Sequence, residues 1–139
     1  MDLSPETLKR LYAVTERLIA VSDVWWLPEQ HVRFFPGEAK GRPCLVAGIE
    51  TTAGGTPAVV HLIAGSTKPR TGPTTIYVAK QECGLNQGTY FKFRWSGTVS
   101  SSVLASEGDW KGRLSAERMP EVEAAVKASH LVALKRLWS

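Results

Sequence analysis

The residues of this chain best suited to chemistry are one arginine and a pair of hydroxyls. Arg42 closes a polar, glycine-flanked loop, Pro36 to Pro43, just ahead of the apolar run Cys44-Leu45-Val46-Ala47-Gly48-Ile49. A guanidinium delivered by a loop onto a rigid strand can grip a phosphate through two parallel hydrogen bonds. Ser66 and Thr67 follow a second apolar run, 58–64, and could donate to a phosphoryl oxygen or simply cap a loop. Lys68 and Arg70 come next and could hold neighbouring phosphates or stand as solvated charges. Lys40 lies in the arginine loop and is a further candidate for a phosphate contact.

Proton carriers are scarcer. The histidines are His31, His61 and His130. His31 shares the long loop with Arg33 and Phe34 and could reach a nucleic-acid groove or stand exposed. His61 interrupts an apolar strand, where a satisfied, partly buried ring is expected. His130 is placed on the last helix as a structural residue. Phe34 and Phe35 in the loop could offer stacking faces to unpaired bases. Trp26 and Trp95 could do the same, but aromatics on strands are more often core.

The elements that must position these groups can be read from period and punctuation. Ser4-Pro5-Glu6 is a helix start, and Leu8, Leu11, Leu18 and Ile19 recur at helical spacing, which predicts a helix over 5–20. Val24-Trp25-Trp26-Leu27 reads as a short strand. Runs 43–50 and 58–64 are predicted strands joined by a hairpin connection, with a polar loop from Gly65 to Pro73. Residues 89–94 alternate as a half-exposed strand should. Val103-Leu104 continue with strand character, and 110–114 is a last short strand. Met119, Val122, Val126 and Ala133 mark a C-terminal helix, although Pro120 forbids an unbroken ladder from Ala116. Helix, several strands and helix predict an α+β fold, a strongly bent antiparallel sheet or small barrel.

Bulk properties set limits. The chain has 139 residues, 43% of them hydrophobic and 22% charged, which fits one soluble domain. Lys and Arg number 17 against 13 Asp and Glu, a net charge of +4 that weakly favours an anionic partner. Residues 61–94 concentrate this charge, with Lys68, Arg70, Lys80, Lys92 and Arg94 against Glu82 alone. No apolar run approaches the roughly 18–20 residues that span a bilayer. No secretion signal is read at the N-terminus, so a cytoplasmic protein is expected. The two cysteines are expected as reduced thiols, and no cysteine–histidine pattern suggests a metal.

Several segments, in order, resemble the MazF/PemK (Kid) toxin family. Ser22-Asp23-Val24-Trp25-Trp26 is similar to its "GDVWWV" strand, and Gly41-Arg42-Pro43-Cys44-Leu45-Val46 to its "RRPVLVL" strand. Val60 to Lys68 sits where the family carries a strand ending in "PLTS". Residues 110–125 resemble its closing "GRLSPERMAEVDAAL" segment, and Gly84-Leu85 with 89–99 its "GL…SYV…VRTVSRSRL" passage. The resemblance implies an SH3-like, MazF/CcdB-like barrel over 22–139, with 1–21 as a helical extension of a single domain. It also implies a homodimer, a cognate antitoxin and cleavage of single-stranded RNA without a cofactor. Arg42 takes the place of the family's loop arginine. Gly65 stands where strict register puts the family's threonine, so Ser66 or Thr67 would supply the hydroxyl. A CcdB-like toxin that binds a protein target without catalysis is the alternative.

Overall fold

The computed structural model describes residues 19–139. The helix expected over 5–20 therefore lies outside the described residues except for Ile19 and Ala20, which are not helical. Among the described residues six strands form one antiparallel sheet: β1 (Asp23–Leu27), β2 (Arg42–Thr51), β3 (Pro57–Ser66), β4 (Thr75–Val78), β5 (Thr89–Ser100) and β6 (Asp109–Arg113). Their spatial order is β4-β5-β3-β2-β1-β6, so β4 and β6 are the edges. The helices are α1 (Ser101–Glu107), α2 (Met119–Ala128) and α3 (Val132–Leu137).

The central strands are covered on both faces, which is why 44–49 and 59–64 read as apolar runs rather than alternating ones. One face packs Val24, Leu45, Ile63, Phe91 and Phe93 against Val122, Val126 and Leu134 of the C-terminal helices. The other packs Trp25, Leu27, Cys44, Val46 and Leu62 against Leu104 of α1 and Val32 of the loop after β1. Phe91 and Phe93 are fully buried, and each such side chain contributes about 1.5–3 kcal/mol. Lys92 and Arg94 alternate with them and point away from that core, as the period of two requires.

Bulges bend the sheet. The β2–β3 register shifts between Val46 and Gly48, taking Ala47 out of the ladder. The Ala47 carbonyl then accepts the Trp138 indole N–H at 2.7 Å, which ties the C-terminus to β2. A Cβ on Gly48 would come within 2.6 Å of Leu134, so glycine is what lets α3 lie this close. At the start of β1, Ser22 holds φ at +77°. Its backbone N–H donates to Val46 O at 2.8 Å, and its carbonyl accepts from Leu114 N at 3.0 Å, so the turn is fixed by two neighbouring segments. Asp23 beside it is wholly buried. Its carboxylate accepts from Ala20 N at 2.8 Å and from Arg113 Nε at 2.6 Å.

Several expectations are corrected. The strands run 42–51 and 57–66 rather than 43–50 and 58–64. Gly65 and Ser66 thus end β3 instead of opening a loop, because Gly65 pairs with Phe91 and Ser66 with Tyr90. Val103 and Leu104 are helical: the Ser100 hydroxyl accepts from Val103 N at 3.2 Å and caps α1, which buries Leu104. Pro120 sits in the first turn of α2, after a 3-10 turn at Ala116–Arg118. The C-terminal helix breaks at Ser129, whose hydroxyl donates to Val126 O at 2.6 Å and accepts from Leu131 N at 3.3 Å. His130 falls in that break and is exposed, not helical.

Candidate functional site

A cleft of about 420 Å³ opens where the ends of β2, β3, β1 and β6 meet the 84–87 turn. Arg42, Ser66, Thr67 and Lys40 all line it, so the structure brings together the arginine, both candidate hydroxyls and one candidate lysine. Trp26, Asn86, Gln87, Asp109 and Lys111 complete much of its wall.

Arg42 opens β2 opposite Leu27 of β1, and its side chain is held rather than free. It is 5% exposed. Its two terminal nitrogens donate to backbone carbonyls, Glu38 O at 2.7 Å and Gly65 O at 3.3 Å. The guanidinium carbon lies 3.6 Å from the centre of the Phe35 ring, a cation–π contact. The Nε atom is buried and has no hydrogen-bond partner among the described residues. Glu38, the nearest acid in sequence, has its carboxylate 3.6 Å from Lys40. Burial lowers the guanidinium pKa from its ordinary value, and the charge of Glu38 opposes that shift. The group stays protonated nonetheless. Among the described residues no carboxylate forms an ion pair with Arg42. Two carbonyl dipoles, an aromatic face and the more distant charge of Glu38 offset this buried cation among the described residues, and a charge without a direct ion pair favours an incoming anion.

The hydroxyls differ. Ser66 is buried, and its Oγ accepts from Lys68 N at 3.2 Å, so it stabilises the turn after β3. Thr67 is exposed, and its hydroxyl makes no side-chain hydrogen bond among the described residues.

Other candidates lie elsewhere. Arg70 is exposed and stands 5.5 Å over the Trp95 ring, which itself meets Phe35 edge-on at 4.8 Å. This chain of rings links Arg70 to Arg42 behind the cleft, and Trp95 is buried, with no face open to a base. Lys68 is exposed beyond the cleft's rim and is not among its lining residues. Phe34 does not face the cleft: it packs on the core beside Val32, with Gly97 leaving room for its ring. His31 is turned towards α1, its Nε2 3.0 Å from Glu107 Oε1 but misaligned for a hydrogen bond. The reason in both cases is that Val32 anchors the loop on the core. His61 is satisfied by Glu50 at 2.7 Å. Among the described residues no three His, Cys, Asp or Glu side chains gather where they could hold a metal ion.

Sequence reasoning missed Asp109 and Lys111 as cleft residues, and nothing in it joined them to Trp26. They become neighbours only through the β1–β6 pairing. A bulge leaves Lys111 out of the β1–β6 ladder, so strand alternation in the sequence could not have placed it beside Asp109.

No family model matches the sequence, and no curated protein does. Solved structures do resemble the fold. The Mycobacterium tuberculosis toxin MazF-mt6 is 20% identical, with a TM-score of 0.55 over 75% of this chain and 92% of that one. An endoribonuclease solved in complex with its cognate antitoxin, from mycobacterial species, is 18% identical with a TM-score of 0.54, over 80% of this chain and 93% of that one. An Mtb toxin is 25% identical with a TM-score of 0.50, over 63% of this chain and 92% of that one.

Proposed function

We propose that this chain, which has the MazF-type toxin fold, is the toxin of a type II toxin–antitoxin pair and cuts single-stranded RNA in the Arg42 cleft. The observation that carries the reading is the buried Arg42 guanidinium, unpaired with any carboxylate among the described residues and with an orphaned Nε, beside a free threonine hydroxyl. The fold likeness to a protein described as an endoribonuclease with its antitoxin supports the same reading.

The chemistry turns the RNA 2′-hydroxyl on its own phosphodiester and needs no cofactor: the 2′-O–P bond forms as the P–O5′ bond breaks, the 2′-hydroxyl gives up its proton, and the leaving 5′-oxygen takes one up. Charge builds on the phosphoryl oxygens in the transition state, and a preorganised donor there lowers the barrier. Arg42 supplies that donor. A phosphoryl oxygen replaces the Glu38 carbonyl and takes up the Nε–H, while Phe35 moves off the guanidinium. Thr67 donates to or orients the reacting group, and Ser66 holds the turn that carries it. Lys40 screens the flanking phosphates, with Lys68 and Arg70 further along the strand's path.

The partners in this reading are single-stranded RNA, an antitoxin and a second copy of the chain. Exposed Trp110, Tyr77, Val132 and Leu137 offer apolar surface that two-fold pairing would cover. Light scattering at micromolar concentration tests the pairing: a dimer is expected, and a monomer that persists as concentration rises contradicts it. A CcdB-like, non-catalytic toxin is the second reading, favoured by the occupied Arg42 donors. Incubation with mixed-sequence RNA in EDTA separates the two. Fragments ending in a cyclic phosphate support cleavage, and intact RNA supports the protein-binding alternative.

A further inference from the structure

Building on the RNA-cleaving reading, we propose that Trp26 and Asp109 form a base subsite in the cleft that selects guanine. The two residues are direct partners in the β1–β6 ladder, so their side chains share one face of the sheet. Both line the cleft. Trp26 is 37% exposed although its neighbours Trp25 and Leu27 are buried. Gly41 backs the indole so closely that a Cβ there would overlap the ring. The loop backbone therefore supports the ring on one side, and the cleft receives the rest. An indole held this way is a stacking platform for an unpaired base.

Asp109 sets which base. It is exposed at the cleft wall and makes no ion pair and no side-chain hydrogen bond among the described residues, so its carboxylate is free to meet a ligand. A carboxylate in a cleft that takes a polyanion is repulsive unless it accepts hydrogen bonds from the ligand. Guanine alone of the four bases presents two adjacent N–H donors, N1–H and the 2-amino group, to one carboxylate. Adenine and cytosine place an acceptor nitrogen beside their amino group, and uracil flanks its N–H with carbonyls. Lys111 lies two residues on, lines the same cleft and is likewise unpaired among the described residues, which suits the guanine O6. The cleft, about 420 Å³, is in the range of small-ligand sites.

The test is an NMR titration of the full-length chain with 3′-GMP, 3′-IMP, 3′-AMP, 3′-CMP and 3′-UMP, following the Trp26 indole N–H. It is repeated on Asp109→Asn, which removes no partner of the folded chain. GMP is expected to bind about tenfold more tightly than the other standard nucleotides, the discrimination of one good bidentate contact. IMP, which lacks the 2-amino group, should lose most of that advantage, and Asp109→Asn should bring the four standard nucleotides within about threefold of one another. Equal affinities in the wild type, or a guanine preference that survives Asp109→Asn, would overturn the subsite. Mapping of cut sites on mixed-sequence RNA runs beside it. Cutting without guanine-selective binding sinks the subsite alone, whereas selective binding without cutting sinks the cleavage reading and leaves the subsite standing.

Discussion

Arg42 and Arg118 are both largely shielded arginines at the margins of one sheet, and their surroundings are opposite. Arg118 donates to both oxygens of Glu82, at 2.7 and 2.6 Å, to Glu121 at 2.8 Å and to the Tyr77 carbonyl at 2.6 Å. Burial alone would lower its pKa, but the hydrogen bonds and charges of Glu121 and Glu82 raise it. Arg42 has no carboxylate partner among the described residues, has one orphaned nitrogen, and its pKa is lowered by burial. Arg118 is a clamp that joins α2 to β4 and the turn at Glu82. Arg42 is a cation held by two carbonyls and a ring, with no carboxylate ion-paired to it among the described residues. A fold satisfies the first kind of arginine by itself, while the second is completed by a ligand.

The largest expected effect separates the two by activity. Arg42→Ala should lower RNA cleavage by about 10²–10³ in rate, as loss of one charge-stabilising donor does. Arg118→Ala should leave the rate per folded molecule within a few-fold. Single-turnover assays on both variants check this, and equal losses would erase the distinction.

Stability should divide the other way. Arg118→Ala strands Glu82 and Glu121 and should cost about 1–3 kcal/mol in urea unfolding. Asp23→Ala should cost at least as much, about 2–4 kcal/mol, because it leaves the Ala20 N–H and Arg113 without their buried acceptor. Arg42→Ala should fall below both, since it removes a buried charge with no carboxylate ion-paired to it and strands no charged partner. A greater loss of stability in Arg42→Ala than in Arg118→Ala would contradict the contrast.

Between the hydroxyls a smaller gap is expected. Thr67→Ala should slow cleavage by about tenfold. Ser66→Ala removes the acceptor of Lys68 N and should act mainly on stability, by about 1 kcal/mol. Equal and negligible rate losses in both would mean that this strand end only shapes the turn.

The last effect concerns alkaline pH. Burial, with Glu82 adding to it, pushes the Cys83 thiol up to about 11. The unfolded chain releases that proton at its ordinary value of 9.0, so the folded state binds it more tightly and the stabilisation is full below that pH. It is lost as pH rises from there to about 11. Cys83→Ala should flatten this part of the stability-against-pH curve, measured by denaturant midpoints, and an unchanged slope would exclude Cys83 as its source.

The sheet was legible because its central strands carry the apolar runs that two covered faces demand. The Arg42 loop and the Ser66-Thr67 strand end were legible through the family resemblance, and the structure brings them to one cleft. What was not legible came from long-range pairing and local caps. Phe34 and His31 looked free in a polar loop, but Val32 carries that loop onto the core. Val103 and Leu104 have strand character, yet the Ser100 cap and the burial of Leu104 select a helix. Trp26 meets Asp109, and Arg118 meets Glu82, only after distant segments have paired.

The central claim is that the Arg42 cleft cuts RNA, and one assay addresses it most directly. The full-length protein and Arg42→Ala are incubated with mixed-sequence single-stranded RNA in EDTA, and the fragment ends are identified by mass spectrometry. Wild-type fragments ending in a 2′,3′-cyclic phosphate, with cutting nearly abolished in a folded Arg42→Ala, are the expected result. Intact RNA with the wild type, or cutting by Arg42→Ala at the wild-type rate, would contradict the account.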